Sequence, residues 1–442
     1  MRHEEQCADV WADKPMTRTQ IVVIAICCIL NALDGIDILA ISFASPGIAT
    51  EWGIDKAALG VVLSMELFGM AIGSACFGHI ADRRGRKLVV LSCLTITSLG
   101  MWSATVASSV LMLSLIRFST GLGIGGMITT AHSLASEFAS SKARNAAIAC
   151  VGLGWPIGAM LGGWIAAAYI TLDNWRHVFI AGAVLSTVFL PIVWFKLPES
   201  VSFLLERRPD GALKHANKVI AYLGHTKLEQ LPNITHSAKH EKSVKRRQRY
   251  GLTAALAISY FFDCLTYYFL LKWSPKIVAD LGFSSSAASS VLVWGTVGQF
   301  FAILAMGIVA TRVNPKTLAL PAIILTAIGV SAFGHVGSSL TLLTVVMIMA
   351  TFCNQATNTL LIMIFIESFP ASIRAGRLGI VMGVGRGGAA LSPIIAGTLL
   401  NQGYPLWMTT TTLGMPVLVA GAVVLALRWK GSFELKQSAV TR

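Results

Sequence analysis

The chain has 442 residues, of which 55% are hydrophobic and only 13% charged. Soluble domains carry about 25% charged residues. The composition therefore excludes an ordinary soluble protein, and repeated apolar runs of about 20 residues indicate a polytopic membrane protein. A formal charge of +14 would suit nucleic-acid binding, but the basic residues gather in loops on one side of the spans, which assigns the charge to membrane topology instead.

Twelve spans are expected. Six lie at 19–43, 57–80, 88–107, 110–136, 145–169 and 177–197, and six at 251–272, 287–310, 317–337, 340–366, 377–400 and 405–428. The joints 107–110 and 337–340 are so short that the spans beside them are hard to separate. With the amino terminus in the cytoplasm, 29 of the 35 Lys and Arg fall on that side. Lys56, Arg176 and Lys276 fall outside, and Arg117, Lys272 and Arg386 fall within or at the edges of spans. This positive-inside asymmetry puts both termini in the cytoplasm. The first apolar run is too long for a cleavable signal and ends without an A-x-A site. Seven of the eight cysteines fall in spans, and Cys7 lies in the amino-terminal tail. No cysteine pair has metal-ligand spacing, so they read as small packing residues.

Span one carries two aspartates, Asp34 and Asp37, in the stretch Asp34-Gly-Ile-Asp37. An Asp at helix centre is disfavoured by roughly 2.5 to 3.5 kcal/mol, so such a pair marks a site for a proton, a cation or a substrate. Residues three apart share one helix face. The plain alternative is a helix–helix hydrogen-bond pair. Glu66 stands in span two as a weaker candidate. The loop after it reads Gly78-His-Ile-Ala-Asp-Arg-Arg-Gly-Arg-Lys87. Arg117 lies inside span four and opens Arg117-Phe-Ser-Thr-Gly-Leu-Gly-Ile-Gly-Gly126. Either Asp facing it would form a two-state proton site, because a nearby cation favours the charged carboxylate. The alternative for Arg117 is a tie between helix ends. Glu137 precedes Arg144 by seven residues at the end of span four. Span five opens with spaced glycines around Trp155-Pro156, which suits close packing and movement.

The polar segment 198–250 separates the halves, giving a first bundle at 1–197, a cytoplasmic linker at 198–250 and a second bundle at 251–442. A short helix is expected near 209–223. The basic run Lys242 to Arg249 could touch anionic lipid. Span seven holds Asp263 among Tyr260, Tyr267 and Tyr268, an aromatic wall that suits a planar ligand. Lys272 and Trp273 at its end read as anchoring and snorkelling residues. Span ten offers Asn354, Gln355 and Asn358 as cavity hydrogen-bonders. Span eleven holds Arg386 among glycines at 383, 385, 387 and 388. Its planar fork suits a substrate carboxylate, and a salt bridge to Asp263 is the alternative. His132 and His335 have no spacing that lifts them above packing.

The halves repeat at an offset of about 229 residues. Gly307-Ile-Val-Ala-Thr-Arg-Val-Asn-Pro-Lys316 matches the first loop at Gly, Ala, Arg and Lys, and Glu367 precedes Arg374 as Glu137 precedes Arg144. Such a duplication is the parallel repeat of a two-bundle transporter with a central site.

These motifs resemble the major facilitator superfamily. Gly78–Lys87 is similar to its loop G-x-x-A-D-R-x-G-R-K, and Arg117–Gly126 to its helix-four pattern R-F-x-x-G-x-G-x-G-G. Asp34–Asp37 resembles the D-G-x-D of the aromatic acid:proton symporters, and Gly383–Gly388 with Leu391-Ser-Pro393 resembles their helix eleven. The resemblance implies an all-α fold of twelve transmembrane helices in two pseudo-symmetric six-helix bundles, in the bacterial inner membrane. It implies import of benzoate-like, hydroxybenzoate or phenylpropanoid acids, driven by the proton gradient without a cofactor. It also gives Arg117 a proton-coupling role, alongside Asp34 and Asp37. Arg386, Asp263, Tyr267, Tyr268 and Asn358 are then the expected substrate ligands. Asp82, Arg83 and Arg86, supported by Glu137, Arg144, Glu367 and Arg374, form the expected conformational latch, with Asp82 able to pair with Arg144. Thr311 replaces the Asp in the second copy, so that latch is degenerate. Span five only partly resembles the antiporter signature G-P-x-x-G-G, which favours import over drug export.

A second reading keeps the mechanism and exchanges the ligand for a non-aromatic organic anion such as a dicarboxylate. An enzyme would need a nucleophile–base pair or metal cluster, and the sequence suggests neither; a channel would need a filter loop. The expected partners are a small organic acid, protons and lipid, with no nucleic acid, and one chain is expected to suffice for a pathway.

Overall fold

The computed structural model describes residues 15–140, 142–169, 175–208, 211–225, 228, 244–369 and 371–426. The described elements are helices. The first half supplies α1 (Arg18–Trp52), α2 (Lys56–Arg84), α3 (Arg86–Thr105), α4 (Val110–Phe138), α5 (Arg144–Tyr169) and α6 (Arg176–Lys196). Two short helices follow, α7 (Val201–Arg207) and α8 (Ala212–Tyr222). The second half supplies α9 (Val244–Asp280), α10 (Ser285–Val309), α11 (Pro315–Phe333), α12 (Leu340–Ser368), α13 (Ala371–Asn401) and α14 (Leu406–Gly414). The last span runs on through the 3-10 turn Met415–Val417 to Ala426. Twelve helices are long and apolar enough to cross a membrane.

Several helices outrun the apolar windows that mark them in the sequence. α1 continues through Pro46 to Trp52, nine residues past the expected 43, and α9 continues through Pro275 to Asp280 instead of stopping at 272. Proline is tolerated in membrane helices where neighbouring groups meet the freed backbone; the Ser45 hydroxyl donates at 2.7 Å to the Ser42 carbonyl, the acceptor that the missing Pro46 N–H leaves free. The two tight joints are set by serine caps. Ser109 accepts from the Met112 amide at 3.2 Å, and Ser339 from the Leu342 amide at 3.4 Å, each meeting one orphan donor of a helix start.

The chain divides into two compact units. Unit 1 comprises Met1–Ile38, Gly69–Gly162 and Phe179–Glu241, and unit 2 comprises Leu39–Phe68, Gly163–Val178 and Lys242–Arg442. The boundaries fall inside α1, α2, α5 and α6, so the division does not follow the sequence halves.

In unit 1 a buried core joins Leu30 of α1, Leu94 of α3 and Phe138 of α4 to Phe203, Leu205, Ile220 and Leu223 of the α7–α8 segment. The start of the polar segment is thus docked. Glu199 holds it to α3, accepting from the main-chain N–H of Arg86 at 2.8 Å and of Lys87 at 3.2 Å. A carboxylate at a helix amino end meets both the orphan donors and the positive end of the helix dipole. Gly85 before it has φ +105, a conformation that favours glycine. The remainder of the linker and the side chains of Lys242–Arg249 lie outside the described residues, as does Cys7.

In unit 2 the residues of α2 up to Phe68 share a core with the second-half helices. The Trp273 indole of α9 donates to the Pro393 carbonyl of α13 at 3.1 Å. A β-carbon on Gly60 of α2 would collide with that carbonyl.

Candidate functional site

Unit 1 brings the acidic pair to the intramembrane arginine. Asp34, Asp37 and Arg117 are all buried, at 0%, 1% and 0% exposure. Arg117 of α4 donates from Nη2 to the main-chain carbonyl of Asp37 at 2.8 Å and from Nη1 to the Met101 sulfur of α3 at 3.4 Å. Its guanidinium lies 5.6 Å from the Phe179 ring centroid, within cation–π range. Glycines bring α1 and α5 together here: Gly35 abuts the Trp155 carbonyl, and Gly158 the Ala32 carbonyl. A side chain at either would push the acidic turn away from α5. The cluster concentrates three ionisable groups in a low-dielectric setting, where charges interact strongly.

Unit 2 assembles the expected ligands from α9, α12 and α13. Asp263 is fully buried and accepts from the Asn358 amide nitrogen at 2.7 Å. Tyr267 and Tyr268 meet edge to face with centroids 5.2 Å apart. The Tyr267 hydroxyl donates to Gln299 Oε1 of α10 at 3.2 Å. Gly385 sits against the Tyr260 ring, and Gly388 against the Phe261 carbonyl, so α13 lies close on α9 as the glycine spacing suggests. Arg386 between them is half-buried. It lies within electrostatic reach of Cys264 and Tyr268. Among the described residues it forms no ion pair. The salt bridge from Arg386 to Asp263, the alternative weighed from sequence, is not the arrangement found, because Asp263 turns to Asn358. Asn354, one turn from Asn358, is buried. Gln355 engages Thr359 of its own helix at 3.4 Å.

Lys272 corrects the reading of a snorkelling anchor. It is fully buried and pairs with the equally buried Glu66 of α2 at 3.0 Å. The apparent end of span seven at Lys272 misled: α9 runs about two turns further, so Lys272 lies inside the helix bundle. No sequence spacing links α2 to α9, so nothing in the chain announced the pair. Trp273 is buried too.

At the other end of α2, the Gly78–Lys87 motif forms a network within unit 1. Arg86 pairs with Glu137 at 2.6 Å and with Asp82, four residues back, at 3.5 Å. Ser133 donates to Glu137 at 2.8 Å, and Ser200 also bonds it. Asp82 therefore faces Arg86 here, and not Arg144 as expected. Its carboxylate is 66% exposed. Arg83 and Glu367 are exposed, Arg144 is half-buried, and the Arg374 side chain lies outside the described residues. In the second copy Asn314 caps α11, accepting from the Lys316 amide at 2.9 Å. His132 and His335 each engage a carbonyl four residues back, at 2.8 and 3.0 Å, as packing residues do. A cleft of about 340 Å³ between Ala49 and Asn401, lined by Lys56 and Lys276 among others, includes none of the candidate residues.

Comparison with known proteins bears on this arrangement. The chain is 29% identical over 423 residues to the gallate transporter of Pseudomonas putida, covering 94% of each protein. It is 28% identical over 421 residues to the 4-hydroxybenzoate transporter PcaK of Pseudomonas aeruginosa, covering 93% of each. Its fold matches the crystal structure of a D-xylose-proton symporter with a TM-score of 0.71 at 16% identity, over 91% of this chain and 97% of that one. The profile of the Major Facilitator Superfamily matches residues 27–271 and 256–440. With twelve span-length helices and both halves matched, the chain belongs to the Major Facilitator Superfamily of membrane transporters.

Proposed function

We propose that this protein is a proton-coupled symporter importing an aromatic carboxylate by alternating access. The observation that carries the reading is Arg386: an intramembrane guanidinium, half-buried, within electrostatic reach of Tyr268 of the Tyr267–Tyr268 pair and without an ion pair among the described residues. A guanidinium in that setting offers a bidentate fork to a carboxylate, and the tyrosines offer an aromatic face. Asp263 and Asn358 complete the ligand set. The similarity to transporters named for gallate and 4-hydroxybenzoate supports the same substrate class.

Asp34, Asp37 and Arg117 serve as the proton-coupling cluster in this reading. Protonation of either carboxylate weakens its hold on the guanidinium, and the proton gradient thereby biases the conformational equilibrium. Asp82, Arg83, Arg86, Glu137 and Arg144 act as a latch at the cytoplasmic ends of the helices, with Glu367 and Arg374 in the second half. The positive-inside pattern puts this end and both termini in the cytoplasm. One chain carries the pathway. A dicarboxylate would call for a second accessible cation near Arg386. Among the described residues the fully buried Lys or Arg of unit 2 is Lys272, and Glu66 holds it, so the aromatic monocarboxylate is the better fit.

The test is uptake of radiolabelled 4-hydroxybenzoate by cells expressing the protein, with and without a protonophore, against a panel of competitor acids. Uptake abolished by the protonophore and competed by aromatic acids alone supports the reading. Competition confined to aliphatic acids sinks it.

A further inference from the structure

The stretch of α2 from Lys56 to Glu66 belongs to unit 2, although it is first-half sequence. Three contacts fix it to second-half helices. At its start Lys56 pairs with Asp280, the last residue of α9, at 3.3 Å. One turn on, Gly60 abuts the Pro393 carbonyl of α13, and a β-carbon on Gly397 of α13 would collide with the Lys56 carbonyl. Backbone meets backbone here, which only glycine permits. Ten residues from Lys56, Glu66 pairs with Lys272 of α9 at 3.0 Å, with both side chains fully buried. Leu59 and Leu63, between the two ion pairs in sequence, are fully buried as well. A helix rises about 1.5 Å per residue, so the second pair stands about 15 Å deeper than the first, about half the apolar thickness of a bilayer. With Lys56 on the outer side, as the positive-inside pattern has it, the seam runs from the outer surface to mid-membrane.

We propose that this seam is an outer gate and that the buried Glu66–Lys272 pair sets its balance, fixing the register of the shut state while leaving that state easy to open. The inference rests on the alternating-access reading and on cytoplasmic termini, not on which acid is carried. An ion pair is a particular choice for holding a seam at this depth. Its attraction is offset by the cost of taking both charges out of water, and apolar side chains of like volume would hold as well or better. When α2 parts from α9 and water enters, both charges regain hydration, which offsets the lost attraction. When the seam closes, each charge again needs the other, so no shifted register is accepted. Apolar contact in place of both charges therefore favours the shut gate. One charge left without its partner favours the open gate, because burial then strands it.

The experiment places a thiol in the seam by Leu63→Cys and adds a membrane-impermeant thiol reagent outside intact cells. The labelling rate at position 63, read by peptide mass spectrometry, reports how often the gate is open. Only monodisperse protein from gel filtration after labelling is read, so a misfolded variant does not count as open. Added to Leu63→Cys, Lys272→Met and Glu66→Gln are each expected to raise the rate about tenfold. Glu66→Leu/Lys272→Met is expected to lower it about threefold or more, and the exchanged pair Glu66→Lys/Lys272→Glu to return it to within about threefold of the Leu63→Cys protein. Where a single variant does not fold, the double apolar variant decides. A pair that is merely structural leaves the rate unchanged in every folded variant, and that result overturns the gate. Equal acceleration in the single and the double apolar variants overturns it too. Labelling of position 63 from the cytoplasmic side alone overturns the topology beneath the inference, which is a separate failure.

Discussion

Arg117 in unit 1 is fully buried and donates to the Asp37 carbonyl at 2.8 Å, whereas Arg386 in unit 2 is half-buried and forms no ion pair among the described residues. Both are intramembrane arginines set beside glycines, and the sequence reading gave them different roles, proton coupling to Arg117 and carboxylate binding to Arg386. Their surroundings separate them. The Arg117 guanidinium donates from both terminal nitrogens to groups of its own unit, so its removal takes away part of the packed structure. The Arg386 guanidinium forms no ion pair among the described residues, and in the proposed reading its donors go to the substrate carboxylate. The comparison teaches that the partners of an intramembrane charge, and not its type alone, suggest which function it serves, since a cation engaged by its own unit and one without an ion pair suit different tasks.

Substitution should separate the two arginines first in stability. Arg117→Leu leaves buried carboxylates without their cation, and breaking a buried charge cluster this way costs about 3–5 kcal/mol. We expect a large fall in the thermal midpoint of the detergent-purified protein. An unchanged midpoint would mean that Arg117 is not integral to unit 1. Lys272→Met extends the comparison within unit 2. It strands Glu66 in the same way, and a loss of similar size, about 3–5 kcal/mol, is expected. The double variant Glu66→Gln/Lys272→Met should recover most of it, because an ion pair replaced on both sides is often neutral. A double variant as unstable as Lys272→Met would contradict the pairing.

Arg386→Lys should leave the thermal midpoint near that of the parent while raising the KM for the aromatic acid about tenfold or more, since an ammonium cannot reproduce a bidentate fork. A normal KM would remove Arg386 from the ligand set. The smallest effect is expected at Asp82, whose exposed carboxylate pairs, among the described residues, with Arg86 four residues on. Exposed pairs of this kind contribute little to stability. Asp82→Asn should slow turnover through the latch, with KM and thermal midpoint unchanged; turnover equal to the parent's would count against the latch.

Much of the fold was legible because apolar runs of membrane length are hard to produce by accident, and the motif loops mark the repeat. Helix ends were less legible. α1 and α9 carry proline and polar residues in their last turns, which a hydropathy window reads as loop although the helices continue. That one boundary at Lys272 hid the buried pair with Glu66, for a residue placed at a membrane edge needs no partner. The polar segment after α6 was read as a linker with a short helix near 209–223, and α8 spans Ala212–Tyr222. Its docking was less legible: Phe203, Leu205, Ile220 and Leu223 give it an apolar face that packs in unit 1. At the candidate site, Asp263, Tyr267, Asn358 and Arg386 stood out as polar or charged residues in apolar helices. Gln299 on α10 was missed, although a lone glutamine inside an otherwise apolar span was the available signal.

The central claim is a division of labour, with proton coupling at the Asp34–Asp37–Arg117 cluster and carboxylate binding at Arg386. The most direct measurement compares Asp37→Asn and Arg386→Lys in proteoliposomes, reading exchange of labelled against unlabelled 4-hydroxybenzoate beside accumulation driven by an imposed proton gradient. Exchange needs substrate binding and alternating access but no net release of protons. The account predicts that Asp37→Asn retains exchange and loses accumulation, whereas Arg386→Lys is impaired in both. Loss of exchange in Asp37→Asn at normal thermal stability, together with intact exchange in Arg386→Lys, would contradict it by reversing the two roles.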